Sequence, residues 1–222
     1  MEYLQYIDSN GNTVRIPNTD DMYTTTSIDY LMDNGYGHVK GHINSADVEA
    51  LRSIVMKMPK HFRMVELGSL YGASAVTITL LAMEMRKTCD ILCIDMFGMH
   101  NQLETFIQNT MDFSNITYRA ELFDSAFQYD GGPIDLYFDD ASHEEIPTYK
   151  QLVYWSKYAK NIAVHDYIAG WEGTIVAVDK FASERAVPVQ RFAESNQRPH
   201  HVCFLQFLWN LAQLLIRRQK DR

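Results

Sequence analysis

From residue 61 onward the chain alternates short apolar runs with longer segments of helical period. The runs are "FRMVEL", "DILCID", "ITYR", "IDLYFDD" and "NIAVHD". Between them lie "ASAVTITLLAMEMR", "NQLETFIQNTM" and "EIPTYKQLVYWSKY", and "GTIVAVDKFASER" follows the last run. Continuous apolar strands alternating with amphipathic helices predict βαβ units around a buried parallel sheet. A final pair of strands is expected near "VQRFAE" and "HVCFLQF". Ahead of the first run, "NSADVEALRSIVMKM" predicts a helix capped by Asn44 or Ser45, with Asp47 and Glu49 in the first turn, where negative charge suits the helix dipole. Residues 1–40 are polar and turn-rich ("DSNGNT", "PNTDD", "DNGYG") and predict an extension or lid, with one domain over 41–222.

The pattern places the chemistry. In open α/β sheets, ligands bind beyond the carboxyl ends of the strands. Polar residues gather at four of those ends: Glu66 and Gly68, then Asp95, then Asp139 and Asp140, then His165 and Asp166. The first end, "VELGSLYGAS", sets two glycines either side of a turn into a helix. A dinucleotide loop needs a second glycine where Leu70 stands, and a phosphate loop needs a Gly-Lys-Ser/Thr ending that is missing. S-adenosylmethionine (SAM) carries a sulfonium, an amino group and a ribose and has no phosphate. An acid after the first strand suits its cationic end, and Asp95 suits the ribose hydroxyls.

Composition removes other classes. Of 222 residues, 46% are hydrophobic and 22% charged, so a packed core is expected. A net charge of −8 argues against a nucleic-acid partner. No signal peptide and no membrane-length apolar run are read, so a cytoplasmic protein with no membrane partner is expected. The apolar stretch "FLQFLWNLAQLLI" is open to two readings, a surface for a homo-oligomer or a cover for the sheet. Cys89, Cys93 and Cys203 read as free thiols of a reducing compartment.

On "KGHINSADVEAL", "VELGSLYGAS", "CIDMF", "IDLYFDDASHEE", "AVHDY" and "GTIVAVDKF", the chain resembles class I SAM-dependent methyltransferases over roughly Gly41 to Asp179. Within them it is similar to the small-molecule O-methyltransferases of the macrolide-sugar and cephalosporin-biosynthesis type. The resemblance implies a Rossmann-like seven-stranded sheet, mostly parallel with its last strand antiparallel. It implies SAM contacts at Glu66, Gly68 and Asp95, with Ser69, Gly72, Ser74, Met96, Ser125 and Asp139 as further cofactor-side candidates. Phe97 is a candidate to flank the adenine, and Tyr167 and Trp171 to line the acceptor pocket. Carried over to this chain, Asp140 and Asp166 hold a divalent cation and His143 is the base. His165 stands where that subgroup has a carboxylate; as a third ligand it would make Mn²⁺ or Fe²⁺ as suitable as Mg²⁺. The expected activity is methyl transfer to a hydroxyl of a small, sugar-containing or other hydroxylated acceptor, in which Asp140 and His143 act at the reacting oxygen. A SAM-binding module without transfer activity and a nicotinamide-dependent oxidoreductase remain the alternatives. His38, His42, His61, His100, His200 and His201 are expected at the surface or in packing roles.

Overall fold

The structure is a computed structural model of the 222-residue chain. It describes residues 3–7, 13–17, 26–124, 127–192 and 202–206. In chain order the elements are β1 (Tyr3–Ile7), β2 (Thr13–Pro17), β3 (Thr26–Ser27), α1 (Asp29–Asp33), β4 (Lys40–Gly41) and α2 (Ser45–Lys57). They continue with β5 (His61–Leu67), α3 (Ala73–Glu84), β6 (Thr88–Asp95), α4 (Gln102–Thr110), β7 (Ile116–Ala120) and β8 (Leu136–Asp139). The last are α5 (Glu145–Trp155), β9 (Asn161–Val164), α6 (Glu172–Arg185), β10 (Val189–Arg191) and β11 (Cys203–Gln206).

Seven strands form one sheet in the order β10-β11-β9-β8-β5-β6-β7. The pairings β5–β6, β5–β8, β6–β7 and β8–β9 are parallel, while β11 runs antiparallel to both β9 and β10. The expected seven-stranded sheet with an antiparallel last strand is therefore present. Strand order reverses between β5 and β8, and such a switch point opens a crevice at the carboxyl edge. Leu67 at the end of β5 pairs with Asp139 at the end of β8, and Asp139 with Val164 at the end of β9. The strand ends singled out above therefore lie level with one another along one edge.

Local chemistry explains the helices that frame this edge. Asn44 caps α2 through a full capping box: its side chain accepts from the Ala46 and Asp47 amides while Asp47 accepts from the Asn44 amide. Helix α3 is buried on nearly every side, with nine of its twelve residues enclosed, in keeping with a sequence that is apolar apart from Ser74, Thr77, Thr79 and Glu84. Pro147 sits in the first turn of α5, where its missing amide costs no helical bond. Two core clusters, centred on Phe62, Met64 and Phe138 and on Tyr137, Trp155 and Phe181, pack about the sheet. In a third, Ile28, Leu31 and Val39 bury against Val48, Val76 and Phe113. Residues 28–39 thus share a core with α2 and α3, although the sequence reads as polar up to residue 40. The antiparallel β1–β2 pair was also unforeseen in that stretch. The apolar stretch after Gln206 lies outside the described residues.

Candidate active site

The cofactor-side loop leaves β5 through Gly68, which has φ +85°. A side chain there would meet the Asp140 carbonyl oxygen at 2.2 Å. Gly68 is therefore required by a close approach of two strand-end backbones, those of β5 and β8. The sequence reading had placed a ligand, not protein, against it. Gly72, also at φ +85°, is the N-cap of α3 and abuts Phe106 and Thr110 of α4. Leu70 between them sits at φ +46°, in the left-handed region, at the position where commoner loops carry glycine.

Asp95, at the end of β6, holds this loop. Its Oδ2 accepts from the Leu70 amide at 2.9 Å, and its Oδ1 accepts from the Phe97 amide at 2.8 Å and from Gln102 Nε2 at 3.1 Å. Burial nevertheless raises its pKa. The Ser69 amide also acts on this carboxylate, so the protein's own donors take up its roughly four acceptor positions. Glu66 is wholly buried beneath the loop, accepting from Ser74 Oγ and from Cys93 Sγ. Burial pushes its pKa up to about 7. Ser69 and Ser74 are buried with it. Met96 is 39% exposed, whereas Phe97 packs edge-on against Phe106 and Tyr118. Ser125 lies outside the described residues.

The other half of the edge is charge-rich. Loop 140–144 after β8 is pinned by Thr148 Oγ1, which donates to the Ser142 carbonyl at 2.7 Å. His143 Nε2 lies 2.7 Å from Asp166 Oδ2. Burial would raise the Asp166 pKa, but hydrogen bonds from His143 and His165 hold it well below the usual carboxylate range. An ionised Asp166 can only accept, so His143 carries its proton on Nε2 and its lone pair on Nδ1. Burial works against a charged His143 and Asp166 works for it; the net pKa is raised. Trp171, 44% exposed, stacks on the His143 ring with centroids 4.1 Å apart. Tyr167 does not line this site. It is buried, donating to Asp179 Oδ1 at 2.6 Å and accepting from Arg191 at 2.6 Å.

Among the described residues, Asp140, His143 and Asp166 each offer a ligand atom, and these atoms lie within 4.8 Å of one another. Two hard oxygens and one imidazole nitrogen suit a divalent cation such as Mg²⁺ or Mn²⁺. His165 lies behind this group, enclosed to 5% exposure. Its Nδ1 is 3.1 Å from Asp140 Oδ1 and 3.4 Å from Asp166 Oδ2. Its Nε2 is 3.7 Å from Asp47 Oδ1 of α2. Burial opposes charge on His165, yet the surrounding carboxylates raise its pKa well above the usual value. Asp139, which the sequence reading grouped with the cofactor side, is fully buried, and burial pushes its pKa up to about 7.

Two neighbours of this cluster were missed by sequence reasoning. Asp47 had been read as a dipole-complementing acid. His42 had been expected at the surface or in a packing role, yet Asp140, Asp166 and His165 all act on it electrostatically, while burial lowers its pKa. Both belong to "GHINSADVE", and only the packing of α2 against the strand edge reveals them.

No protein-family model matches the sequence, and no curated protein matches it. Solved structures do match in shape. A Klebsiella pneumoniae protein assigned as an O-methyltransferase aligns with TM-score 0.55 at 14% identity, over 80% of this chain and 87% of its own. An rRNA methylase of Streptococcus thermophilus aligns with TM-score 0.55 at 11% identity, over 76% and 99%. A Streptococcus mutans protein assigned as a methyltransferase, solved with S-adenosylhomocysteine (SAH), aligns with TM-score 0.55 at 12% identity, over 74% and 99%. The fold is that of the class I SAM-dependent methyltransferases. No helix among the described residues is long and apolar enough to cross a membrane.

Proposed function

We propose that the protein is a SAM-dependent O-methyltransferase acting on a hydroxyl of a small, sugar-containing or other hydroxylated acceptor. The observation that carries this reading is the His143–Asp166 pair, 2.7 Å apart at the carboxyl edge of a methyltransferase sheet. The cofactor reading has separate support. The loop after β5 opens α3 at the strand edge, and Asp95 stands beside it at the end of β6. The SAH-bound neighbour has the same fold.

When bound, SAM supplies an activated methyl group on a sulfonium, so the protein must orient the acceptor and take its proton. With Nε2–H donated to Asp166, His143 Nδ1 is the atom that receives the proton. Asp166 holds the ring in that tautomer and stabilises the imidazolium that forms, the same division of labour as in a Ser-His-Asp triad. Trp171 covers one face of the ring and offers an apolar wall beside the acceptor. A divalent cation, where bound, would be held by Asp140 and Asp166 and would polarise the acceptor oxygen. His143 cannot serve that cation as a ligand through Nδ1 and also act as the base. The proposed assignment therefore gives the cation to the two carboxylates and the proton to His143.

Calorimetry with SAM, SAH and NAD, followed by a labelled-methyl transfer screen over hydroxylated acceptors with and without a chelator, tests the reading. Binding of SAM and SAH but not NAD, with transfer to a hydroxyl, is the expected result. Preference for NAD would replace it with an oxidoreductase. SAM binding without transfer to any acceptor would leave a binding module.

A further inference from the structure

Asp47 lies on α2, far in sequence from the strand-end motifs, and is 1% exposed. One of its carboxylate oxygens, Oδ2, is committed to the capping box, accepting from the Asn44 amide at 2.8 Å. The cap therefore fixes the side-chain rotamer. The second oxygen, Oδ1, is also buried and faces His165 Nε2 at 3.7 Å. On its far side, His165 Nδ1 reaches both Asp140 and Asp166. Asp47 serves the helix cap with one oxygen and faces the site with the other. A cap alone needs only the first.

We propose that Asp47 is a positioning residue for the strand-end carboxylates, acting through His165. The inference rests on the reading that Asp140 and Asp166 form the working site. A buried imidazole can turn over about its Cβ–Cγ bond and exchange the directions of its two nitrogens. A carboxylate on the Nε2 side selects the orientation that leaves Nδ1 toward Asp140 and Asp166. Those two carboxylates would otherwise repel one another. The imidazole between them keeps both within reach of one edge of its ring, in the manner of the outer partners that orient metal-binding side chains. Through Asp166, the same contact reaches His143. The packing of α2 thus sets the geometry of loops that follow it by about a hundred residues in sequence.

The test compares Asp47→Asn with Asn44→Ala in the full chain. Both weaken the capping box, but only the first alters the group facing His165. Histidine ring ¹⁵N spectra would be recorded for each, with the His165 signals assigned from His165→Gln. If that variant fails to fold, His143→Gln and His42→Gln narrow the assignment by elimination. The expected result is a displaced His165 signal pair in Asp47→Asn and an unchanged pair in Asn44→Ala. A second arm titrates Mn²⁺ alone, followed by electron paramagnetic resonance. Asp47→Asn should weaken Mn²⁺ binding by about 10–100-fold, the usual cost of losing an outer-shell partner, and Asn44→Ala by less than about 2-fold. Equal displacement of the His165 signals in the two variants, or equal weakening of Mn²⁺ binding where the wild type binds it, would reduce Asp47 to a helix cap and overturn the proposal, as would unchanged His165 signals in Asp47→Asn. A wild-type chain that takes up no Mn²⁺ but shows the selective His165 displacement would sink the cation reading and uphold the positioning role.

Discussion

The two halves of the strand edge are built on opposite plans. On the β5–β6 side, the acids face inward and bind the protein's own groups. Asp95 is tied to two backbone amides and a glutamine, and Glu66 is sealed under the loop with Ser74 and Cys93. On the β8–β9 side, acids and imidazoles face one another: His143 against Asp166, and His165 against Asp140, Asp166 and Asp47. The first arrangement shapes the loop through hydrogen bonds to the protein's own groups. The second concentrates ionisable groups, as the proposed proton transfer requires. Gly68 is the seam between them, since its bare backbone lies against the Asp140 carbonyl. The difference implies that substitutions on the two sides should separate binding from turnover.

The largest expected effect breaks the charged half alone. His143→Ala should lower methyl-transfer turnover by about 10²–10⁴-fold, the range for a positioned base, while SAM affinity by calorimetry stays within about 2-fold. The wild-type rate should fall as pH drops through the His143 pKa. That limb should lie above the unperturbed value of about 6.5, because Asp166 holds the His143 pKa up against burial. Full activity of the variant across the pH range would remove His143 as the base.

Next in size is Glu66→Gln, which probes the sealed acid through stability. The folded chain holds the Glu66 proton up to about pH 7, whereas the unfolded chain releases it near the model-peptide value of about 4.3. The folded state therefore binds more protons between those values. Stability from this group is complete below the lower pKa and is lost as pH rises through the upper one. At pH 8 the loss is on the order of 4 kcal/mol, taking about 1.4 kcal/mol for each pKa unit. Glutamine cannot ionise, so denaturant unfolding of the variant should lack this part of the decline between pH 4 and 8. Parallel pH–stability curves for the two proteins would show that Glu66 is ionised when folded.

Asp95→Ala should weaken SAM binding by about 1.5–3 kcal/mol, the range for hydrogen bonds to a charged group. The variant should turn over at a normal rate once SAM saturates it. Unchanged SAM affinity would confine Asp95 to its bonds with Leu70, Phe97 and Gln102. A fall in saturated turnover as large as that of His143→Ala would end the division between the two halves.

The same contrast explains how much of the molecule was legible in the sequence. The sheet was readable because buried parallel strands are short apolar runs: β5 to β9 lie on the five runs, and β10 and β11 lie where a final pair of strands was expected. Asp95, Asp140, His143 and Asp166 were readable because they fall at or just beyond strand ends, where a linear motif and a three-dimensional edge coincide. His42 and Asp47 were not. Their proximity to the site depends on how α2 packs, and Asp47 in "NSADVE" satisfies a capping pattern completely, so nothing in the pattern signals a second partner. His165 was read as a candidate third metal ligand from its place at a strand end. The positive φ of Asp166, +55°, ends the extended run there, and His165 is enclosed while Asp166 faces His143. The packing of residues 28–39 escaped notice because Ile28, Leu31 and Val39 are isolated apolar residues in a polar setting, without the period that marks a core-facing element.

The smallest effect sharpens the cofactor half. Leu70 occupies the left-handed region at φ +46° with its amide bound to Asp95. That conformation costs a non-glycine residue roughly 1–2 kcal/mol. Leu70→Gly removes the strain. It also removes a half-buried side chain and adds freedom to the unfolded chain, which costs about 0.5–1 kcal/mol. The terms nearly cancel, so denaturant unfolding should shift by less than about 1 kcal/mol. A half-buried leucine without backbone strain would lose more when cut back to glycine. Because the amide and not the side chain meets Asp95, SAM affinity should also stay within about 2-fold. A destabilisation above about 2 kcal/mol would mean that the leucine side chain, and not the backbone path set by Asp95, holds the loop. A gain in SAM affinity would show that Leu70 crowds the cofactor where the commoner glycine does not.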